Sequence, residues 1–475
     1  MKTTGTSKTK QRLRYVIADL FTGAIAFWVF NIVRFYLLHE YSNGYATLWT
    51  FLGSTKLILE QCIVPPCLLG IYWLSGYYNE PFNKSRLQEF TTTLFSAIIN
   101  TIIIYLVLLI NDQTGRRTIN YEIIIVLFGS FFLLTYIFRV IITNYAIQHF
   151  RKELWQIKVL IVGNSKVSRK VAHNLSKAER NVKYHVAGFV EIPGENQVKD
   201  QNQVIPFETF IATAKEIGIN QLVLAPENHD DKKVMKLLSV LFPLDIPVKI
   251  SPDTFSYVTS AIRMKDIYGE PFIDLTGPAM GDSSKNIKRS FDAIVSCLVL
   301  ILLSPLYGIL ALMVKFSSKG SVIYKQERIG RHQKPFYIYK FRSMYEEAED
   351  KGPQLSKEND DRITPTGKWM RKYRLDELPQ FWNVLKGEMS IVGPRPEREF
   401  FIKQIVEKAP YYTLVCQVRP GITSWGMVKY GYASNVKQMV ERTQYDLIYL
   451  ANMSLSVDCK ILIYTLKTVI GGEGL

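Results

Sequence analysis

Long apolar segments separated by short polar connections dominate the first 150 residues. Runs without Asp, Glu, Lys or Arg occupy residues 20–33, 61–79, 91–110 and 123–138, and the last continues beyond Arg139 to residue 150. A helix that crosses a membrane needs about 20 mostly apolar residues. A surface helix of a soluble protein carries a polar face, which these segments lack. The pattern therefore predicts a four-helix transmembrane bundle over residues 1–150.

The basic residues in the connections predict the orientation of this bundle. The N-terminal tail contains five Lys and Arg residues, and the connection at 77–89 contains Lys84 and Arg86, whereas the connection at 39–46 contains neither type. Because basic connections stay in the cytoplasm, both ends of the bundle are predicted to be cytoplasmic. Arg116 and Arg117, in the connection at 111–119, disagree with this alternation.

A fifth apolar segment occurs far downstream and is interrupted near its middle. Residues 293–314 carry no charge, and Ser304 and Pro305 stand inside this run. Basic residues flank the run on both sides, which does not fit a simple crossing. Proline bends a helix, and serine helps to satisfy the freed backbone groups. The pattern favours a re-entrant helix over residues 290–316 that enters one leaflet and returns, with a kinked full crossing as the alternative.

The character of the chain changes over residues 151–250. Short apolar strands alternate with helical segments there, which is typical of a small parallel α/β domain, here predicted to be Rossmann-like. The turn after the first strand contains Gly163, but Ser165 and Ser168 stand where a dinucleotide fingerprint has glycine. Nucleotide binding, regulation and dimerisation all stay open as roles for this domain. Residues 251–284 are predicted to be a linker.

The C-terminal part of the chain is strongly basic and lacks the motifs of several common enzyme classes. The chain has a net charge of +16, and residues 285–475 contain 29 basic and 19 acidic residues. This basic block lacks the patterns of zinc hydrolases, P-loop proteins and serine hydrolases. The charge by itself allows nucleic acid, anionic lipid or phosphorylated small molecules as partners.

The same block contains a dense set of polar motifs around two adjacent carboxylates, Asp376 and Glu377. An aspartate can act as a nucleophile, and a second carboxylate can hold Mg²⁺ together with phosphate oxygens. Asp376 is expected at a helix N-cap, with Pro379 in the first turn. Cations in the surrounding motifs would neutralise a diphosphate; they are Lys340, Arg342, Arg362, Arg371 and Arg395. The spacing is compatible with phosphoryl transfer, and it leaves open a solvated surface cluster or a basic patch that meets anionic lipid.

Five motifs of this block together resemble the bacterial polyprenyl-phosphate hexose-1-phosphate transferases, the large monotopic phosphoglycosyl transferases. They are the Ser304-Pro305 break, KFRSM at 340–344, DELPQ at 376–380, NVLKGEMSIVGPRP at 383–396 and RPGIT at 419–423. The resemblance implies a membrane protein of mixed α and α/β class. A four-helix bundle and a nucleotide-binding-like domain would precede a mostly helical catalytic domain at residues 285–475. It also implies the bacterial cytoplasmic (inner) membrane, with the catalytic domain on the cytoplasmic face.

The implied reaction transfers a hexose-1-phosphate from a UDP-sugar to undecaprenyl phosphate and releases UMP. It would start lipid-linked exopolysaccharide, capsule or O-antigen synthesis. By this resemblance, Asp376 forms a phospho-aspartyl intermediate, Glu377 binds Mg²⁺ and Arg395 contacts the substrate phosphate. Substrate contacts are also expected at Lys340, Arg342, Arg362, Arg371, Gln326 and Arg328. Membrane lipids and a second copy of the chain are the other expected partners, and nucleic acid is not one.

Two places depart from the pattern of this family. Arg374 stands where Ser or Thr is often found, two residues before the dyad, and residues 424–430 read SWGMVKY where the family commonly has GWAQVNG. The second segment is a candidate for donor contacts, so its divergence leaves the sugar unidentified. A nucleotide-sugar dehydratase or epimerase would need a Tyr-x-x-x-Lys pair, which the chain lacks. A non-enzymatic scaffold is disfavoured because Asp376, Glu377 and Arg395 are intact.

Overall fold

The computed structural model describes residues 4–471 except for 39–44, 83, 110–116, 153–154, 178–183, 194, 196–197, 199–203, 228–230, 245, 252–272, 275–279, 350–351 and 356–359. The chain forms two compact units. The first contains the N-terminal helices and part of a central sheet. The second contains the rest of that sheet and the C-terminal region.

The N-terminal region is a set of helices. They are α1 (Thr4–Leu38), α2 (Leu48–Leu52), α3 (Thr55–Leu74), α4 (Arg86–Ile104), which continues as a π-helical turn (Tyr105–Leu109), and α5 (Arg117–Arg151). Helices α1, α3, α4 and α5 are long and apolar enough to cross a membrane, which confirms the four predicted spanning segments. Arg116, which disagreed with the predicted orientation, lies outside the described residues.

A buried ion pair joins α1 to α5 among these apolar side chains. The guanidinium of Arg139 donates from Nε and Nη2 to both oxygens of Asp19, at 2.9 and 2.8 Å. Its Nη1 donates to Thr93 on α4 at 3.2 Å, and Tyr78 donates its hydroxyl to Asp19 at 2.8 Å. Because an unpaired charge inside a membrane segment is costly, this pairing holds three helices in one arrangement.

A second carboxylate in the bundle has its own partners. Glu89 on α4 accepts hydrogen bonds from the hydroxyls of Tyr77 at 2.7 Å and Thr143 at 2.8 Å. The ammonium of Lys84 lies 3.8 Å from the same carboxylate. Within these two groups, two acidic and two basic buried side chains compensate one another.

The central sheet has six strands in the order β3-β2-β1-β4-β5-β6. They are β1 (Ile157–Val162), β2 (Tyr184–Val190), β3 (Val204–Ile205), β4 (Gln221–Leu224), β5 (Val248–Ile250) and β6 (Ile273–Asp274). The pairs β2–β3 and β4–β5 are parallel, and β6 is antiparallel to β5. The helices between the strands are α6 (Lys166–Lys177), α7 (Phe210–Ile217) and α8 (Asp231–Leu241). The sheet confirms the predicted α/β character; β6 falls in the range predicted as a linker, most of which is outside the described residues.

The C-terminal region is mostly helical. Its helices are α9 (Asp282–Leu302), α10 (Ser304–Ser317), α11 (Pro365–Lys372), α12 (Gln380–Lys386), α13 (Glu399–Lys408), α14 (Trp425–Lys429), α15 (Val436–Ala451) and α16 (Leu455–Gly471). An antiparallel hairpin is formed by β7 (Ile323–Ile329) and β8 (Pro335–Phe341). A short parallel pair is formed by β9 (Ser390–Val392) and β10 (Gly421–Thr423).

Helices α9 and α10 form a bent pair, with an angle of 64° at the break. Pro305 lies in the first turn of α10, where its missing N–H costs little. The Ser304 hydroxyl donates to the carbonyl of Ile301 at 2.8 Å. Large apolar side chains next to the break are mostly exposed, since Ile301 is 63% exposed and Leu302 71% exposed.

Polar contacts attach the start of α9 to the rest of this region. The Lys288 ammonium donates to Asp458 on α16 at 2.6 Å and to the Val392 carbonyl at 2.9 Å. The Asp292 carboxylate accepts from the Ser390 hydroxyl at 2.7 Å and from a backbone N–H of β9. The polar half of α9 is therefore fixed on the protein, whereas the apolar half projects beyond it.

Arg342 fixes the other end of the bent pair. Its guanidinium is buried and donates to the carbonyls of Val314 at 3.2 Å and Ser318 at 2.6 Å, at the end of α10, and to that of Ser321 at 2.5 Å. Arginine at the last turn of a helix satisfies carbonyls that have no partner within the helix. Both ends of the bent pair are thus attached to the same C-terminal region.

Replacing Arg139 by Met should destabilise the bundle by about 3–5 kcal/mol, because the Asp19 carboxylate would stay buried without its partner. The double variant Asp19→Asn/Arg139→Met should recover part of the loss, since no charge then stays unpaired. Thermal unfolding midpoints in detergent measure both effects. Lys8→Met is the control, because the Lys8–Glu80 pair is exposed and should contribute less than about 1 kcal/mol. Equal midpoints for Arg139→Met and the wild type would refute a stabilising role.

Replacing Arg342 by Met should lower the unfolding midpoint, because each buried carbonyl left unsatisfied costs roughly 1–3 kcal/mol. Lys315→Met is the matched control, since Lys315 is exposed on α10 and its loss should change the midpoint little. A midpoint that Arg342→Met leaves unchanged, together with weaker substrate binding, would show that Arg342 acts on a substrate instead.

Candidate functional site

The two adjacent carboxylates lie in a short 3₁₀ turn, Leu375–Glu377, between α11 and α12. Asp376 and Glu377 are both buried, with 5% of each residue exposed. The expectation that Asp376 is a helix N-cap is wrong: Arg374 precedes the 3₁₀ turn, and Pro379 is the N-cap of α12. Pro379 stands at a helix start, as predicted, but Asp376 and Glu377 lie in the 3₁₀ turn that precedes this helix.

Three cations surround Glu377. Lys340 donates to its Oε1 at 3.0 Å, and Arg395 Nη2 lies 3.5 Å from the same oxygen. Arg374 Nη1 lies 3.6 Å from Oε2. Burial acts to raise the pKa of Glu377, but Lys340, Arg395 and Arg374 outweigh it and hold the pKa well below its usual range. Glu377 is therefore ionised at neutral pH.

Asp376 has a different environment from its neighbour. Its carboxylate forms no hydrogen bond or ion pair with any residue that the structure describes, although it is buried beside Glu377. Burial raises its pKa, Glu377 raises it further, and Lys340 opposes both. One carboxylate of the dyad is thus neutralised by neighbours, whereas the other has no fixed partner.

The backbone brings Lys340 and Arg395 to the dyad from separate motifs. Lys340 is on β8, opposite Tyr324 of β7. Arg395 follows β9, where Gly393 and Gly421 of the paired strands approach so closely that a Cβ on either would clash with backbone atoms. The N–H of Gly421 donates to the Pro394 carbonyl at 2.9 Å. The motifs around 393–396 and 419–423 therefore form one unit that positions Arg395.

The bent helix pair is also connected to the dyad. The Tyr307 hydroxyl, on α10, donates to the carbonyl of Leu378 at 2.7 Å. Leu378 directly follows Glu377 in the chain. This bond fixes the dyad turn relative to the apolar helix pair.

The remaining predicted substrate contacts have partners within the protein. Arg371 contributes to the charge around Asp376 and donates to the Ser343 hydroxyl at 3.0 Å. Arg362 is paired with Asp360 at 2.6 Å, and Arg342 donates to the carbonyls at the end of α10. A substrate role for Arg342 and Arg362 stays a prediction without support from these contacts.

Gln326 and Arg328 support the loop that contains Arg395. Arg328 donates to Gln326 at 2.6 Å, to the Pro396 carbonyl at 3.1 Å and to Glu397 at 3.4 Å. Burial lowers the pKa of Arg328 to about 10, against the effect of Glu397. Arg328, supported by Gln326, thus fixes the segment directly after Arg395 and so positions Arg395.

Sequence reasoning missed two residues of the site. Tyr432 has the guanidinium carbons of Arg374 and Arg395 at 5.3 and 5.6 Å from its ring centre. Burial and then Glu377 raise the pKa of its hydroxyl. Asp446 on α15 accepts from the Gly426 N–H at 3.1 Å, and burial raises its pKa to about 6, against the effect of Arg442. Neither residue belongs to a motif, so only the tertiary contacts identify them.

The donors available to a metal near the dyad are few. Among the described residues, no group of three or more His, Cys, Asp or Glu side chains could hold a metal ion. Mg²⁺ in proteins commonly uses one or two carboxylates together with substrate phosphates. Glu377, ionised and beside Asp376, fits a site that a phosphorylated donor would complete, but not an all-protein site.

The polar groups of the turn after β1 form hydrogen bonds within the central domain. The Ser168 hydroxyl donates to the Ala225 carbonyl at 2.8 Å, and the Ser165 N–H donates to Ser168 Oγ at 3.2 Å. Gly163 has φ +129°, and a Cβ there would meet the Ala225 oxygen at 2.4 Å. The Ser168 side chain therefore fills space that a glycine would leave open to a pyrophosphate.

Comparison with known proteins places the C-terminal region in a family. The profile of the family described as "Bacterial sugar transferase" matches residues 283–472. The chain is similar to the UDP-N-acetylgalactosamine-undecaprenyl-phosphate N-acetylgalactosaminephosphotransferase of Aeromonas hydrophila, with 42% identity over 40% of this chain and 44% of that protein. The UDP-glucose:undecaprenyl-phosphate glucose-1-phosphate transferase of Escherichia coli (strain K12) shares 35% identity over 54% of this chain and 56% of its own.

A third relative matches along nearly the whole length. The undecaprenyl-phosphate galactose phosphotransferase of Salmonella typhimurium (strain LT2) is 26% identical over 96% of both chains. The first curated relatives are matched over about half of their own length. The matched region contains the dyad turn, the loop of Arg395 and the bent helix pair. The chain therefore belongs to the bacterial sugar transferase family.

Proposed function

We propose that this protein transfers a hexose-1-phosphate from a UDP-sugar to undecaprenyl phosphate through a phospho-aspartyl intermediate and releases UMP. The product would start lipid-linked exopolysaccharide, capsule or O-antigen synthesis. The relatives are named for N-acetylgalactosamine, glucose and galactose, so the family supports the reaction class and leaves the sugar open.

The asymmetry of the dyad is the observation that carries this proposal. Glu377 is held ionised by three cations, whereas Asp376 beside it has no hydrogen-bonding partner among the described residues. A carboxylate without fixed hydrogen bonds is available for attack, and its raised pKa reflects a more basic oxygen. The surrounding cations suit a phosphoryl group, whose transfer depends on positioning and charge stabilisation.

The reaction takes two displacements. An Asp376 oxygen attacks the β-phosphorus of the donor, the bond from that phosphorus to the bridging oxygen breaks, and UMP leaves with the bonding electrons. A phosphate oxygen of undecaprenyl phosphate then attacks the same phosphorus, and the Asp376 carboxylate leaves. Lys340 and Arg395 stabilise the negative charge on the phosphoryl oxygens in both steps.

Mg²⁺ is part of the proposal as a metal shared by Glu377 and the donor. It would neutralise charge on the diphosphate. Glu377 holds its position through Lys340, Arg395 and Arg374, and its lowered pKa keeps it a metal ligand rather than an acid.

We infer that the bent pair α9–α10 is re-entrant and that the catalytic domain lies on the cytoplasmic face of the inner membrane. The start of α9 and the end of α10 are both attached to the C-terminal region, through Lys288 and Arg342. A helix of 14 residues such as α10 spans roughly 21 Å, which is short of a bilayer core of about 30 Å. A site at the interface would reach a water-soluble donor and a lipid acceptor.

The central domain is inferred to be Rossmann-like. Its strand order is the one that doubly wound α/β sheets have, with β1 next to the point where the order reverses. The polar groups of the turn after β1 are used within the domain, which favours a regulatory or dimerisation role over dinucleotide binding.

The purified full-length chain should release UMP from at least one donor in a panel of UDP-glucose, UDP-galactose and UDP-N-acetyl sugars. The assay contains undecaprenyl phosphate and Mg²⁺ in detergent micelles, and a chelator should stop the release. No metal-dependent UMP from any donor would overturn the proposed function.

Asp376→Asn should abolish a radiolabelled covalent adduct formed from the labelled sugar donor, because the amide cannot attack phosphorus. Glu377→Gln is the comparison, since it keeps the nucleophile and should form the adduct more slowly. An adduct at the wild-type level in Asp376→Asn would mean that another residue is the nucleophile.

Lys340→Met should move the acidic limb of the pH profile of kcat/KM upwards by roughly one pH unit or more. Lys340 lowers the pKa of Asp376, so its loss raises that pKa, and the protonated acid cannot attack. Lys386→Met is the matched control, because Lys386 is exposed on α12. A lower rate with an unmoved acidic limb would contradict this role for Lys340.

A further inference from the structure

Arg374 occupies an unusual backbone conformation directly before the dyad. Its φ is +53°, in the left-handed region that residues other than glycine rarely adopt. The Arg374 N–H donates to the Arg371 carbonyl at 3.1 Å, and the Glu377 N–H donates to the Arg374 carbonyl at 3.2 Å. Non-glycine residues in this region of backbone conformation cluster at functional sites. The conformation of Arg374 therefore suggests that its side chain has a functional role.

The guanidinium of Arg374 has few partners for a buried group. The side chain is 12% exposed, and its closest charged partner is Glu377 Oε2 at 3.6 Å, beyond hydrogen-bond distance. Its Nε is buried and has no hydrogen-bond partner among the described residues. Arginine presents five donors in a fixed fork, and a buried donor without an acceptor is costly. A hydrogen-bond donor of Arg374, its Nε, therefore lacks an acceptor next to Glu377.

Tyr432 aligns this guanidinium with that of Arg395. Both guanidinium carbons lie within 5.6 Å of the Tyr432 ring centre, a distance at which cations are attracted to an aromatic face. Arg395 approaches Oε1 of Glu377, and Arg374 approaches Oε2. The two guanidinium groups thus form a pair that shares an aromatic support and a carboxylate.

Cations are concentrated around the dyad. Lys340, Arg374 and Arg395 act on Glu377. A phosphorylated ligand would place further acceptor oxygens beside these cations. Paired guanidinium groups are well suited to phosphate oxygens because each fork donates two parallel hydrogen bonds.

We propose that Arg374 is a donor-binding residue of this chain and that, with Arg395, it clamps the diphosphate of the nucleotide-sugar, with Tyr432 positioning both guanidinium groups. This rests on the proposed function. Arg374 is the residue that departs from the Ser or Thr often found at this position, and Tyr432 follows the divergent segment 424–430.

Arg374→Gln tests the clamp by removing the charge and the fork while keeping most of the length. We expect the KM for the sugar donor to rise about ten-fold to a hundred-fold, and the affinity for UDP, measured by calorimetry without turnover, to fall by a similar factor. Arg374→Lys should recover part of both. Lys372→Gln is the matched control, because it removes one charge from an exposed position two residues away and should change neither value.

Arg374→Asn separates ligand binding from a structural role. Asn adopts the left-handed region more readily than Arg, which offsets part of the lost charge compensation of Glu377, so the unfolding midpoint should change little while UDP affinity falls. A lower midpoint with unchanged UDP affinity would make Arg374 a structural residue and overturn the proposal. So would a donor KM and UDP affinity within two-fold of wild type in Arg374→Gln.

Tyr432 is tested by the pair Tyr432→Phe and Tyr432→Leu. Phe keeps the ring, so UDP affinity should stay close to the wild type, whereas Leu should weaken it several-fold. Equal affinities for the two variants would remove Tyr432 from the clamp. UDP affinity is measured independently of turnover, so a wild-type chain that binds UDP but releases no UMP would refute the proposed reaction without refuting the clamp.

Discussion

Two carboxylates, Asp376 and Glu377, are buried side by side, and the arrangement around them depends on keeping that pair compensated. Buried charges need partners, and two adjacent acids would otherwise take up protons. Lys340 on β8, Arg395 after β9 and Arg374 before the 3₁₀ turn supply the compensation, and all three act on Glu377. Asp376 is left without a hydrogen bond, which makes the dyad chemically asymmetric.

The side chains that the sequence predicted as substrate contacts form two groups in the folded chain. Lys340 and Arg395 lie at the dyad. Arg328 and Gln326 instead brace the loop after Arg395, and Arg342 closes the end of α10. A cation in a motif can therefore serve the reaction by holding another residue, because a guanidinium has enough donors to join several backbone segments.

Paired charges also organise the apolar parts of the chain. In the N-terminal bundle, the Arg139–Asp19 pair joins two helices that are rich in apolar side chains. In the C-terminal region, Lys288 and Asp458 attach the start of α9. Lipid offers no hydrophobic driving force between helices, so interhelical hydrogen bonds and close packing have to define their arrangement. The Tyr307–Leu378 hydrogen bond extends this control to the dyad turn.

Sequence alone determined the four apolar helices, the break at Ser304 and Pro305, the α/β character of residues 151–250 and the identity of the dyad. These features depend on local composition, on periodicity and on contiguous motifs, which a linear pattern records. Tertiary structure decided which cations reach Glu377, that Asp376 lies in a 3₁₀ turn rather than at an N-cap, and that Tyr432 and Asp446 belong to the site. Those contacts join residues up to about 60 positions apart, and no local propensity encodes a contact of that kind. Arg374 shows the difference most clearly: the sequence marked it as a departure, and only the folded chain revealed its positive φ and a guanidinium whose buried Nε has no acceptor among the described residues.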